Sequence, residues 1–117
     1  VPHSRNTTVH EEDIAKHPEL KMMAMSKEAG VYVVGNESGS QFFVMGHAEY
    51  DALTLDAEYR RDKAAGLDTA IPENYYPDDN PDNPPNVFWR AHGSLLYTNW
   101  LNYFVYQSTP YDLTELK

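Results

Sequence analysis

No cysteine occurs anywhere in the 117 residues. That excludes disulfide stapling and a thiol nucleophile drawn from this segment, while leaving the cellular compartment open. Basic residues are also scarce, with 9 Lys and Arg against 18 Asp and Glu and a formal net charge of -9. A surface of that sign repels a phosphate backbone, so nucleic acid and anionic membrane are poor partners. A local basic pocket stays open, because Arg5, Arg60, Arg61 and Arg90 can converge after folding. No apolar run approaches the length of a bilayer-spanning helix, and the amino end lacks the basic-then-apolar pattern of a secretory signal. Cytoplasm is the expectation. The sequence opens Val-Pro-His-Ser-Arg without an initiator methionine, which reads as a fragment, a processed subunit or an expression product. Motifs with a dedicated chemistry are missing too: there is no G-x-S-x-G, P-loop, Rossmann glycine pattern or H-E-x-x-H.

What is present suffices for one domain with a core, since 41% of the residues are hydrophobic and 13% aromatic. The run HEEDIAKHPEL predicts a short helix with acidic groups in its first turn and a stop at Pro18. Three strands are predicted at 20–26, 30–36 and 41–46, the last two joined through ESGS as a hairpin. Their nearly continuous apolar character suggests burial on both faces, as in a layered α/β fold, with a local antiparallel unit as the competing view. Residues 51–65 predict a helix ending before Gly66, with Leu53 or Leu55, Ala57, Tyr59 and Ala64 on its packed side and Asp51 or Thr54 as cap. The Pro- and Asn/Asp-rich stretch 66–89 predicts a long loop without regular structure. Its Tyr75, Tyr76, Phe88 and Trp89 suggest an arm laid against a surface, a partner subunit being one candidate. Residues 91–107 predict a second helix, capped by Ser94, with Leu95, Leu96, Trp100, Leu101, Phe104 and Val105 as a buried stripe and Thr109-Pro110 as its stop.

The chemistry concentrates at Gly46-His47-Ala48-Glu49, a strand end just before a helix, where open α/β sheets place catalytic groups. Residues two apart in an extended segment point the same way, so His47 and Glu49 can touch. Imidazole beside carboxylate is the base half of a nucleophilic relay; a hydrogen-bonded structural pair is the alternative reading. Ser4, in Pro2-His3-Ser4-Arg5, is a candidate substrate contact or an ordinary terminal residue. Arg60 and Arg61 point in different directions on their helix, so at most one faces a site. The other reading is ion pairing with Asp56 and Glu58. No metal-ligand spacing is present.

Several ordered motifs together give the sequence a wider likeness: Val1-Pro2-His3-Ser4-Arg5, Glu28-Ala29-Gly30-Val31-Tyr32, Gly46-His47-Ala48-Glu49-Tyr50, Glu58-Tyr59-Arg60-Arg61-Asp62, Asn74-Tyr75-Tyr76-Pro77, Trp89-Arg90-Ala91-His92-Gly93 and Thr98-Asn99-Trp100-Leu101-Asn102-Tyr103, followed by Tyr106-Gln107 and Thr109-Pro110-Tyr111-Asp112-Leu113. They resemble the carboxyl-terminal part of the homoserine O-acyltransferases of methionine biosynthesis, from the first residue nearly to the last. The resemblance implies that residues 1–117 are the carboxyl-terminal portion of a class I glutamine-amidotransferase-like (flavodoxin-like) three-layer α/β catalytic domain. It implies acyl transfer from acetyl-CoA or succinyl-CoA, acetyl being favoured, to the hydroxyl of L-homoserine. No cofactor is permanently bound in that chemistry; the acyl-CoA is a co-substrate. A cysteine upstream would be the nucleophile, His47 the base, Glu49 its orienting carboxylate, Arg61 the anchor for the homoserine carboxylate and Ser4 a neighbour of the amino acid. These residues alone would then be inactive. A homodimer, an amidotransferase-like hydrolase using the same His-Glu pair, and a non-catalytic interaction module are the further expectations carried forward.

Overall fold

Segments rich in β-branched and aromatic residues pair in chain order. The computed structural model describes residues 1–109 and 112–115, and within them β1 (Leu20–Ser26), β2 (Gly30–Asn36) and β3 (Phe42–Val44) form an antiparallel sheet in the order β1-β2-β3. Both reversals have a local cause. Between β1 and β2, Ser26 Oγ accepts from Ala29 N–H at 2.9 Å and Gly30 takes φ +72°, a left-handed value closed to most residues. Between β2 and β3, Asn36 Oδ1 accepts from the N–H groups of Ser40 and Gln41 at 2.9 and 3.0 Å. This side-chain clamp sets the register Gly35↔Phe42, Val34↔Phe43 and Val33↔Val44.

The sheet is buried less evenly than the apolar runs suggest. Val31, Val33, Val34 and Gly35 of the central strand are buried, but Met23 and Met25 on β1 and Phe43 and Val44 on β3 are exposed. Two-face burial thus holds for β2 alone, and the antiparallel view describes the three strands correctly. β1 also carries a pairing irregularity between Met22 and Met25.

The expected short helix forms as α1 (Glu11–Ile14), ending ahead of Pro18, and the second half of the chain builds on α2 (Thr54–Ala64) and the arm that follows it. Neither Asp51 nor Thr54 caps α2: its N-cap is Leu53, with no side-chain bond. Of its expected packed residues, Leu55 is buried and Tyr59 half-buried, whereas Leu53, Ala57 and Ala64 face outward. The arm supplies the missing partners. Leu55, Tyr75, Tyr76 and Trp89 form one buried cluster, with Tyr50, Tyr59 and Val87 against it. Each polar tip in that cluster is satisfied. Tyr75 Oη donates to Ala52 O at 2.6 Å and accepts from Asp56 N–H, Tyr76 Oη donates to Asp56 Oδ1 at 2.7 Å, and Trp89 Nε1 donates to Tyr50 O at 2.9 Å. The aromatic arm therefore lies against its own chain, and of the four aromatics only Phe88 faces outward. Positive φ values at Asn74, Asp78 and Asp79 explain why the arm is dense in Asn and Asp, which tolerate that conformation.

Helix α3 (Arg90–Trp100) passes without a break in direction into a π-helical turn, Leu101–Val105, and ends in α4 (Tyr106–Ser108). Ser94 is interior to α3 and not its cap; the N-cap is Trp89, without a side-chain bond. Thr109 leaves the helix at φ -120°, ψ 69°, and the expected stop at Pro110 lies outside the described residues. The π turn docks on the hairpin through Phe104, whose ring sits 4.5 Å from that of Phe42 in an edge-to-face pair. The expected stripe is only half realised, since Leu95 and Trp100 are exposed. An open apolar groove of about 770 Å³ separates Phe43 and Val44 from Leu96 and Trp100. The radius of gyration, 17.9 Å, exceeds the roughly 13 Å of a compact domain of this length. Among the described residues no helix is long and apolar enough to cross a membrane.

Candidate active site

β3 ends where the sheet edge meets the amino-terminal segment. Arg5 donates to the carbonyls of Ala29 and Val31, pinning residues 1–5 beside β2. His47 N–H then donates to Pro2 O at 2.7 Å, and Met45 N–H to Tyr32 O at 2.8 Å. Gly46 sits between these bonds for a steric reason: a Cβ there would lie 2.8 Å from His3 Nε2 and 3.0 Å from Pro2 O. The glycine is the close-approach residue that brings the histidine turn onto the first strand-like segment.

From that turn His47 Nδ1 reaches Glu49 Oε1 at 2.8 Å. With the proton on Nδ1 held by the carboxylate, Nε2 presents its lone pair outward. The Glu49 carboxyl is held below its ordinary range, chiefly by the His47 hydrogen bond and by its own backbone N–H, with Tyr97 adding to the effect. It is a carboxylate at neutral pH. The His47 ring lies flat on Tyr50, centroids 4.2 Å apart and planes 16° off parallel, which fixes the imidazole's remaining freedom. The imidazole is 36% exposed, open enough to meet a reactant.

Tyr50 extends this pair into a relay of contacts. Its hydroxyl donates to Glu58 Oε1 at 2.8 Å, and burial, reinforced by that carboxylate, pushes the phenol up to about 12. Ser4 acts on the same hydroxyl in the opposite sense, favouring its ionised form. Glu58 Oε2 is buried with no partner among the described residues, an unsatisfied acceptor beside the site. His3 Nδ1 is likewise buried and unpartnered, and burial, with Arg5, the amino terminus and His47 nearby, pushes His3 down.

The two helix arginines separate as their spacing requires. Arg60 belongs to the scaffold, its Nε 3.0 Å from Asp56 Oδ1 and a terminal nitrogen 2.6 Å from Pro81 O, so it ties the arm to α2. Arg61 lies three residues from Glu58, on the same helix face, and its Nε donates to Asp62 Oδ1 at 2.7 Å. That leaves its terminal nitrogens outside the pair, and Glu58 and Tyr50 both act on its charge. Arg61 makes no hydrogen bond to His47 or Glu49; its side-chain partner is Asp62. Of the expected site residues the structure brings His47 and Glu49 into direct contact, whereas the Arg61 side chain bonds Asp62. Tyr50 and Glu58 were not anticipated as members. Their signals were the tyrosine directly after Gly-His-Ala-Glu and a carboxylate one turn before Arg61. Among the described residues no three His, Asp or Glu side chains converge to hold a metal ion.

His47 held by Glu49 just past a strand end, beside the buried Glu58 acceptor, is an arrangement suited to acid-base chemistry. Its relatives are specific. The family model described as homoserine O-succinyltransferase matches residues 1–111, and the chain belongs to that family. It is 57% identical over 117 residues to a homoserine O-acetyltransferase of Bacteroides thetaiotaomicron, covering all of this chain and 38% of the relative. It is 56% identical, with the same coverage, to a homoserine O-acetyltransferase of Brevibacillus brevis. With another of that name from Desulfitobacterium hafniense it shares 58% over 116 residues, 99% of this chain and 38% of the relative. The chain spans a little over a third of the length of the curated relatives it matches.

Proposed function

We propose that these residues supply the general base and the amino-acid anchor of an enzyme that transfers an acyl group from an acyl-CoA to the hydroxyl of L-homoserine. The observation that carries the reading is the 2.8 Å contact between His47 Nδ1 and Glu49 Oε1 on a turn that leaves Nε2 free. A cysteine contributed from outside these residues is the nucleophile. His47 Nε2 takes the thiol proton, the thiolate attacks the thioester carbonyl, the bond to coenzyme A sulfur breaks, and the proton passes to that leaving sulfur. In the second half His47 takes the homoserine hydroxyl proton as that oxygen attacks the acyl-enzyme. The cysteine then leaves and recovers the proton. Glu49 holds the imidazole in the required tautomer and stabilises its cation between the two transfers.

The acceptor is held by charge at its far end. Arg61 anchors the α-carboxylate with its terminal nitrogens, and Glu58 Oε2, a buried acceptor without a partner, suits the α-ammonium. Ser4, which acts on Tyr50, is the further residue assigned to the amino acid. Holding both charged groups leaves the hydroxyl as the end that reacts, which is how a transferase outcompetes water. Acetyl is the donor proposed here, supported by the names of the relatives at 55–58% identity; no residue described reads the acyl group. Residues 1–117 form the carboxyl-terminal part of a class I glutamine-amidotransferase-like domain working in the cytoplasm. The exposed apolar faces of the sheet and of α3 support this, being surfaces that a larger layered domain covers.

In the full-length protein containing these residues, His47→Ala is expected to abolish transfer to homoserine while preserving the melting temperature, and residues 1–117 alone are expected to be inactive. Thiol release from acetyl-CoA and succinyl-CoA, measured with and without homoserine, reads donor and acceptor together. Retained transfer in the His47→Ala protein overturns the proposal; thioester cleavage indifferent to homoserine identifies a hydrolase instead.

A further inference from the structure

Helix α3 approaches the histidine turn at Gly93. A Cβ on Gly93 would lie 2.7 Å from Ala48 O and 3.4 Å from Ala48 Cβ, so the helix backbone rests directly on the residue between His47 and Glu49. Tyr97 is one turn further along the same face, and a long helical side chain leans back over the turn that precedes it. That direction carries the phenol toward Glu49. His47 occupies Oε1 of this carboxylate at 2.8 Å, so a second oxygen remains for another donor.

We propose that Tyr97 is a positioning residue for the acyl-transfer base: its hydroxyl donates to Glu49 and holds the carboxylate in the plane from which it orients His47. The inference rests on the function proposed above. The arrangement has support in charge as well as direction. Tyr97 and Glu49 act on each other's ionisation, the phenol favouring the carboxylate and the carboxylate, after burial, disfavouring the phenolate. The other titratable groups facing Glu49 are His47 on its own turn, the adjacent Tyr50 and Tyr32 from β2. Burial raises both of these phenols, so neither supplies a competing charge near neutrality. Half of the Tyr97 surface is open, and the bond closes fully once the site is filled, as catalytic hydrogen bonds commonly do.

The test uses the full-length protein with Tyr97→Phe, which keeps the ring and removes only the donor. Without it the Glu49 carboxylate loses stabilisation, so the acid limb of the kcat/KM profile moves up by about half a pH unit and kcat falls roughly threefold. KM for homoserine stays unchanged, because the residue does not touch the acceptor. A purely structural role would lower the melting temperature without moving the limb. If the phenylalanine protein does not fold, 3-fluorotyrosine at Tyr97, a stronger donor of nearly equal size, is expected to move the limb downward. An unmoved limb in either protein, with His47→Ala inactive, overturns the role of Tyr97 alone; activity in His47→Ala overturns the function on which it rests.

Discussion

Gly93→Ala sets two effects of known sign against each other. Alanine in a helix interior is favoured over glycine by about 1 kcal/mol, so the isolated helix gains. The added methyl would sit 2.7 Å from Ala48 O, and the neighbour is backbone in the turn between His47 and Glu49 rather than a flexible side chain. Restoring an ordinary separation requires α3 and the turn to part by about 0.7 Å, and such overpacking costs about 1–3 kcal/mol. The net change in stability is small, about 0–2 kcal/mol of destabilisation. The turn that carries His47 and Glu49 takes part of this displacement. A shift of this size at a base is expected to lower kcat about tenfold or more. The assay pairs thermal melting with steady-state transfer to homoserine in the full-length protein. Unchanged kcat at unchanged melting temperature would refute the claim that α3 sets the position of the base.

Two further outcomes follow from the contacts of α2. Arg61→Ala is expected to raise KM for homoserine about tenfold or more with a smaller effect on kcat, whereas Arg60→Ala, which cuts the tie from Asp56 to Pro81 O, lowers the melting temperature and leaves KM alone. The reverse pattern in the two proteins would show that the arginines had been assigned the wrong way round. Asp56 is held below its ordinary value first by the Arg60 hydrogen bond, with Tyr76 also donating to it. A carboxyl with a depressed folded value contributes stability that is fully present above its unfolded value, near 3.9, and is lost as pH falls through the folded one. Acid unfolding of Asp56→Asn should therefore show a shallower loss of melting temperature below about pH 4 than the parent protein.

Local elements were legible because their causes are local. The three strands and the two longer helices follow from residue type and spacing. The tight reversal before β3 follows from Asn36, Ser40 and Gly39, which lie within five residues of one another. The His47–Glu49 contact was legible for the same reason, needing only alternation along an extended segment. The caps of α2 and α3 were misread because Thr54 and Ser94 are good capping residues that the tertiary fold placed inside the helices. Burial on both faces of the sheet was overestimated because apolar composition states what a surface prefers, not what the described residues provide to cover it.

By itself the sequence determined the strand and helix alternation, the acidic surface, the dyad and the membership of its motifs in one family, since each depends on residue identity or on neighbours a few positions apart. The tertiary structure alone decided that the aromatic arm closes on α2, that Arg60 braces this arm while Arg61 pairs with its neighbour Asp62, and that Tyr50, stacked on His47, bonds Glu58. Those facts depend on which backbone segments approach one another, and close approach is set by the collective packing of residues far apart in the chain, which no local pattern encodes.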